Sequence, residues 1–232
     1  LAPILAAELG LKDPAAYDIS AACAGFCYAL AQADALIRTG AATTVLIVGA
    51  ERLSDLTDKT DRSTAFLFAD GAGAAVVTGS DTPGVGPVVW GSDGTQAEVI
   101  TQTADFRDAV PTGQMPTLYM DGKPVFRWAT TFIADAAKDI LAATGLEPEQ
   151  LDVFIPHQAN NRITDSMLRH LKLPEHVVVA RSIKRIGNTS AASVPIAMDE
   201  LLTSGEAKSG QTALIIGFGA GLVYAGQVVV LP

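Results

Sequence analysis

Two kinds of segment alternate along this chain, and the alternation limits its fold more than any other feature. The β-rich runs are "AAYDIS", "TTVLIVGAE", "GAAVVTG", "VGPVVWG", "LDVFIP", "HVVVARS", "QTALIIGFG" and "LVYAGQVVVLP". Between several of them lie stretches with helical spacing: 23–39, closed by Gly40; 122–144, closed by Gly145; 159–171; and 189–203, closed by Gly205. Over 122–144 the apolar residues Val125, Phe126, Ala129, Phe132, Ile133, Ala136 and Ile140 recur on one helical face. Such a pattern predicts an α/β fold with parallel, buried central strands. The Gly- and Pro-rich stretch 79–87 predicts a boundary between residues 1–80 and 85–232. Strand–helix–strand order on both sides of it, over 16–49 and 151–180, predicts two similar halves.

The 232 residues carry a net charge of −9, which argues against a nucleic-acid binder, since that would need a basic footprint. The two cysteines have no framework spacing, as free thiols in a reducing, cytoplasmic compartment would. The opening "LAPILAAELGL" is too short to span a membrane and lacks a signal peptide's basic start, so no membrane insertion is expected. It predicts a helix with Pro3 in its first turn. The chain has no initiator Met.

In open α/β sheets, reactive groups collect at the C-terminal ends of strands. Four such ends stand out here. Cys23 follows "AYDIS", at the start of a helix whose free N–H groups and dipole stabilise a thiolate. A buried cysteine packing like alanine is the competing reading. His157 follows "LDVFIP", Asn188 follows the strand near 177–181 and the turn "KRIGN", and "GFGAG" (217–221) follows "QTALII". His157 is either catalytic or a structural hydrogen-bonding residue. Asn188 is either a helix cap or a neutral donor to an oxyanion. "GFGAG" lacks phosphate-loop spacing and reads better as a tight turn presenting an N–H beside the cysteine. Cys27, one helical turn beyond Cys23, reads as core packing, and no further ligands at metal spacing stand near the pair. His170 and His176 read as solvated.

Taken together, "DISAACAGF", "TDRSTAFLFADGAGA", "FIPHQANNRI", "RIGNTSAASVPIA" and "GFGAGLVYA", in that order, closely resemble 3-oxoacyl-[acyl-carrier-protein] synthase III over essentially the whole chain. The resemblance implies a thiolase-like fold: two similar halves, each a five-stranded mixed sheet with helices in layers. It implies that the N-terminal half is incomplete here and that the sequence is a piece of a longer protein. It also implies a homodimer built partly through "TTVLIVGAE".

The implied activity is decarboxylative condensation of an acyl-CoA starter with malonyl-acyl carrier protein, giving 3-oxoacyl-carrier protein in fatty-acid or polyketide synthesis, with no cofactor and no metal. The implied triad is Cys23, His157 and Asn188, with the backbone N–H groups of Cys23 and Ala220 as oxyanion hole. Arg62, Asn160 and Gly122 resemble CoA and pantetheine contacts, although Ser63 stands where the family often has Gly. Phe68, Leu118, Met120 and Phe126 resemble the acyl-pocket wall. Between 162 and 185, Arg162, Arg169, Lys172, Arg181, Lys184 and Arg185 outnumber Asp165 and Glu175. Arg162 and Arg169, with Arg127, are therefore expected to meet the acidic carrier.

Three alternatives remain at this point. One is another acyl transfer or polyketide priming on the same fold. Another is a non-catalytic partner subunit or truncation product. The third is a papain-like thiol hydrolase, whose cysteine is not normally set among parallel strands.

Overall fold

The computed structural model describes residues 1–232. Its helices are α1 (Ala2–Glu8), α2 (Gly25–Arg38), α3 (Phe106–Ala109), α4 (Gly122–Thr130), α5 (Phe132–Thr144), α6 (Asn161–Leu171), α7 (Ile183–Ile186) and α8 (Ser193–Ser204). Its strands are β1 (Thr44–Glu51), β2 (Gly71–Thr78), β3 (Val89–Ser92), β4 (Ile100–Gln102), β5 (Leu118–Met120), β6 (Val153–Pro156), β7 (Val178–Val179), β8 (Thr212–Gly219) and β9 (Val223–Val230). Short 3-10 turns at Ala22–Ala24 and Ser190–Ala192 precede α2 and α8.

The main sheet has five strands in the order β3-β9-β8-β6-β7. It is mixed, not all parallel. β6 runs parallel to β7 and β8, whereas β9 runs antiparallel to β8 and β3. β1 and β2 form an antiparallel pair, as do β4 and β5. β8 is buried from Ala213 to Gly219, as a central strand covered on both faces must be.

Two cores account for the layers. On one face of the main sheet, Phe154, Leu214, Ile216 and Phe218 pack against Ile133, Ala137 and Ile140 of α5 and Met167 of α6. On the other face, Val153, Ile155, Ala213 and Ile215 pack against Phe26, Cys27 and Leu30 of α2 and Val194, Ala197 and Leu201 of α8. Ile47 of β1 closes this second core from the far side, so α2 and α8 lie sandwiched between the β1–β2 pair and the main sheet. The sandwich is tight because Gly71 and Gly73 let β2 approach α8. A Cβ on Gly73 would stand 2.8 Å from Pro195. The loop 79–88 carries the chain from β2 to β3, and its Gly86 N–H donates to Val228. No helix is long and apolar enough to cross a membrane.

Several sequence expectations need correction. "AAYDIS" belongs to no strand, because it pairs with no segment of this chain in a ladder. "HVVVARS" forms only the two-residue β7, and "KRIGN", read as a turn, is mostly α7. The stretch 122–144 is two helices, not one, broken at Thr131 with φ −116° and ψ −75°. Thr130 and Thr131 send their hydroxyls back to the Phe126 and Arg127 carbonyls at 2.8 Å, competing with the helical backbone bonds there. The break aligns Phe132 with Trp128, whose rings stack at 6.4 Å.

Candidate active site

The nucleophile candidate sits on the Ala22–Ala24 turn, directly after Ala22, which holds φ +43°. A non-glycine residue at positive φ costs energy and marks a position fixed by its surroundings. Here the surroundings are β8, where a Cβ on Gly217 would stand 2.8 Å from the Ala24 Cα and one on Gly219 the same distance from the Cys23 sulfur. The glycines of "GFGAG" thus bare the strand so that the cysteine turn lies directly on it. Between them Phe218 points to the opposite face and meets the His157 ring edge-on at 5.3 Å.

Cys23 is half-buried. Burial dominates its chemistry and pushes the thiol up to about 11, with the Glu51 carboxylate adding in the same direction. The Ser190 hydroxyl and the backbone N–H groups of Cys23 and Ala220 pull the other way. Against the expectation of a thiolate made stable by a helix N-terminus, desolvation here outweighs the favourable dipoles. Cys27 is fully buried among apolar side chains and pushed up to about 12, again by burial.

His157 leaves the end of β6, with its backbone N–H on the Ile216 carbonyl at 2.7 Å. The ring is buried, and burial lowers its pKa to about 3, so it is neutral near pH 7. Its Nδ1 lies 2.7 Å from the Ser193 hydroxyl, which also accepts the Gln158 N–H at 3.2 Å. Gln158 in turn donates to the Pro156 carbonyl and accepts from the Ile183 N–H, tying the end of β6 to the start of α7.

Asn188 is placed by backbone pairing. Its N–H donates to the Leu67 carbonyl and its carbonyl accepts from the Ala69 N–H, both at 2.9 Å. Gly187, at φ +91°, permits this approach, since a Cβ there would press on Ala69. The side-chain oxygen of Asn188 accepts the Ser190 N–H at 2.9 Å. The cap reading is corrected: Thr189, not Asn188, is the N-cap of the turn that follows, and Asn188 lends its side-chain oxygen from one residue earlier.

One short segment, 188–193, touches all three groups. It holds Asn188 itself, packs its Ser190–Ala192 turn on the Ala22–Ala24 turn that carries Cys23, and sets the Ser193 hydroxyl at the His157 ring. Ser190, Ser193 and Gln158 were not singled out from sequence. Their signal lay in plain view, in "GNTSAAS" and "HQAN".

The remaining candidates scatter around this centre. Phe68 is half-buried and bridges to Asn188. Asn160 caps α6, its side-chain oxygen accepting the Arg162 N–H at 2.9 Å. Leu118 and Met120 are half-buried on β5, and Gly122 starts α4 in the open. No hydrogen bond or ring contact joins these three to the cysteine group. Phe126 lies under the Arg162 guanidinium, 5.8 Å from its carbon. Arg62 is exposed and makes no hydrogen bond, while its neighbour Ser63 is held by Asp61. Arg127, Arg162 and Arg169 are exposed, whereas Arg181 and Arg185 pair with Asp165 and Glu200. His170, read as solvated, is half-buried and pairs with Asp135 at 2.7 Å. No cluster of three His, Cys, Asp or Glu side chains suited to a metal ion forms.

The layered α/β frame that carries this thiol, imidazole and carboxamide is that of a thiolase-like protein. Residues 17–94 match the family model "3-Oxoacyl-[acyl-carrier-protein (ACP)] synthase III", and residues 141–231 match the model of that family's C-terminal part. The chain belongs to the 3-oxoacyl-[acyl-carrier-protein] synthase III family. It is 56% identical to β-ketoacyl-[acyl-carrier-protein] synthase III of Streptomyces glaucescens, over 98% of this chain and 69% of that protein. It is 54% identical to synthase III 1 of Streptomyces coelicolor, over 100% and 71%. Among solved structures, the priming β-ketosynthase of the R1128 polyketide biosynthetic pathway superposes with a TM-score of 0.96 at 49% identity, over 99% of this chain and 70% of that one. Synthase III of Thermus thermophilus superposes at 0.89 and 42% identity, over 100% and 72%.

Proposed function

We infer that this chain catalyses the decarboxylative condensation of an acyl-CoA starter with malonyl-acyl carrier protein, the opening carbon–carbon bond of fatty-acid or polyketide synthesis. The observation that carries the reading is the segment 188–193, which holds the carboxamide, bonds the imidazole and packs on the turn that carries the thiol.

In the first half-reaction the Cys23 sulfur attacks the starter thioester and CoA leaves as its thiol. The tetrahedral oxyanion accepts from the backbone N–H groups of Cys23 and Ala220. These same dipoles ease charge on the sulfur. In the second, malonyl-carrier protein loses CO₂, and the enolate oxygen accepts from His157 and Asn188. Burial keeps His157 neutral. With its Nδ1 accepting from Ser193, the Nε2 carries the proton and becomes the donor. Two neutral donors stabilise an enolate without trapping it. The enolate carbon then attacks the acyl-Cys23 thioester and expels the Cys23 thiolate, which takes a proton from solvent. One such donor is worth about 3 kcal/mol of barrier.

Arg127, Arg162 and Arg169 offer the carrier unpaired, exposed cations on a chain that is otherwise acidic. A second copy of the chain is the expected partner of the outward face of β1–β2, where Leu46, Val48 and Val76 are exposed. A cytoplasmic setting suits the free thiols. Mass spectrometry with a panel of acyl-CoAs, followed by malonyl-carrier protein, tests the condensing reading. A mass gain on Cys23, absent in Cys23→Ala and discharged into 3-oxoacyl-carrier protein, supports it and names the starter. A gain discharged only by another acceptor identifies a different acyl transfer.

A further inference from the structure

The two enolate donors stand on different elements, and the residue next to one of them holds the chain that carries the other. His157 follows β6, while Asn188 lies midway along 183–193, the segment formed by α7, Gly187 and the turn into α8. Gln158 clasps that segment at both ends. Its side-chain oxygen accepts the Ile183 N–H at 3.2 Å, and its backbone N–H donates to the Ser193 hydroxyl, also at 3.2 Å. The same hydroxyl lies 2.7 Å from the His157 Nδ1. Both protons of the Gln158 amide are used as well. Nε2 donates to the Pro156 carbonyl at 2.7 Å, at the end of β6, and to the Ala180 carbonyl at 3.4 Å, just past β7. The residue is 1% exposed, so its amide is buried with its oxygen and both protons bonded. A buried polar group satisfied in this way is rigid and fixes the geometry of the elements it joins.

We propose that Gln158 is a positioning residue for the reaction: by holding both ends of 183–193 it fixes Asn188 relative to its own neighbour His157, so that one enolate oxygen reaches both donors. The proposal rests on the condensing reading for what the two donors do, not for how they are held. The backbone bonds of Asn188 to Leu67 and Ala69 set its place against the chain between β1 and β2. They carry no reference to β6. That reference comes through Gln158, at Ile183 and at Ser193. Two donors must meet one oxygen, and a displacement of about 1 Å is enough to cost about 100-fold in rate. The partners of Gln158 do not include the Cys23 turn, which rests on Gly217 and Gly219 of β8. Loss of the clamp therefore separates the half-reactions. It slows the one that uses His157 and Asn188 and spares the one that uses the thiol and its oxyanion hole.

The test compares Gln158→Leu and Gln158→Glu with wild type in two assays: decarboxylation of malonyl-carrier protein without a starter, and acylation of Cys23 by an acyl-CoA, read by peptide mass. At about pH 8 both variants should lose about 100-fold in kcat for decarboxylation, with the KM for malonyl-carrier protein and the acylation rate each within about threefold of wild type. The glutamate variant gives the sharper readout. Its carboxylate accepts the Ile183 N–H but repels the Pro156 and Ala180 carbonyls, and burial among acceptors favours its protonated form. Once protonated it donates to Pro156 and restores the clamp. Relative to Gln158→Leu, its decarboxylation should therefore recover between about pH 8 and about pH 6, by up to about tenfold per pH unit. Position 158 faces two carbonyls, one N–H and one hydroxyl, and the adjacent imidazole stays neutral, so the titrating group is the introduced carboxyl. Hydrogen exchange reads the clamp without the reaction: amides of 183–193 should exchange about tenfold faster in Gln158→Leu, the rest of the chain being unchanged. Decarboxylation by Gln158→Leu within about twofold of wild type overturns the proposal. So does a Gln158→Glu profile without recovery, and so does an equal loss of acylation and decarboxylation, which marks general damage to the fold. If the leucine variant does not fold, the glutamate profile against wild type decides alone. Faster exchange confined to 183–193, where even the wild type decarboxylates no malonyl-carrier protein, supports the clamp and removes the condensing reading instead. Unchanged exchange there overturns the clamp.

Discussion

Gly219 stands so close to Cys23 that a Cβ at position 219 would lie 2.8 Å from both the Cβ and the sulfur of the cysteine. The strand end is therefore bare because the nucleophile occupies the space a side chain would fill. Neither partner has an easy way out: Gly219 is held in the β8 ladder opposite Val223, and Cys23 follows a strained residue. Gly219→Ala should displace the sulfur from the Ala220 N–H. Acylation by acyl-CoA is expected to fall at least about 100-fold, as misplacement by about 1 Å does, with about 1–3 kcal/mol lost in chemical denaturation from overpacking. Wild-type acylation rates in this variant would show that the contact relaxes without moving the thiol.

Ser193→Ala removes the group that sets the His157 tautomer and leaves the buried Gln158 N–H without its acceptor. The free ring then populates both tautomers, only one of which donates from Nε2. Decarboxylation should drop about 10-fold or more, on a hydrogen-bond loss of about 1.5–2 kcal/mol, while Cys23 acylation persists. Acylation falling in parallel would mean that Ser193 supports the fold rather than the imidazole.

The depressed His157 pKa makes stability pH-dependent. Between about 3, its folded value, and 6.5, its ordinary value, the unfolded chain binds a proton that the folded chain refuses. The unfolded state binding more protons means that stability rises with pH across this window and is lost as pH falls. His157→Gln should flatten urea-derived stability by up to one proton there, about 1.4 kcal/mol per pH unit. An unchanged slope would place the imidazole in water.

Cys27 should be chemically silent. It is fully buried, and its thiol is pushed up to about 12. Iodoacetamide at pH 8 should modify Cys23 alone in the native protein and both cysteines in denaturant. Cys27→Ser should cost about 1–3 kcal/mol, because a hydroxyl would replace a sulfur among Phe26, Leu30 and Ile215. Native alkylation at both sites would mean that α2 opens readily.

Arg162→Glu reverses an exposed charge above Phe126. It should raise the KM for malonyl-carrier protein about 10-fold, more at low salt, and leave acylation from acyl-CoA alone. Equal effects on the two half-reactions would remove Arg162 from the carrier surface.

The sequence carried the family because the candidate residues sit in short, ordered motifs. Cys23 in "SAACAG", His157 in "FIPHQAN" and Asn188 in "RIGNTS" were each readable, as were the central strand 212–219 and the helix over 25–38. Their local pattern is the same as their final environment: continuous apolar residues for a strand covered on both faces, glycine where a turn reverses. What the sequence could not supply was the balance of forces at each group. A cysteine at a helix start reads as a thiolate, yet burial against β8 pushes the thiol up to about 11. "AAYDIS" reads as a strand, yet a strand exists only if a neighbour completes its hydrogen bonds. Residues 122–144 read as one helix, yet two threonine hydroxyls bending back on their own carbonyls divide it. Ser193 was visible as a letter, but its role comes from facing His157 across the fold. Motif chemistry is local and survives in one dimension. Desolvation, ladder pairing and the reach of a hydroxyl depend on which distant residue arrives, and tertiary packing alone decides that.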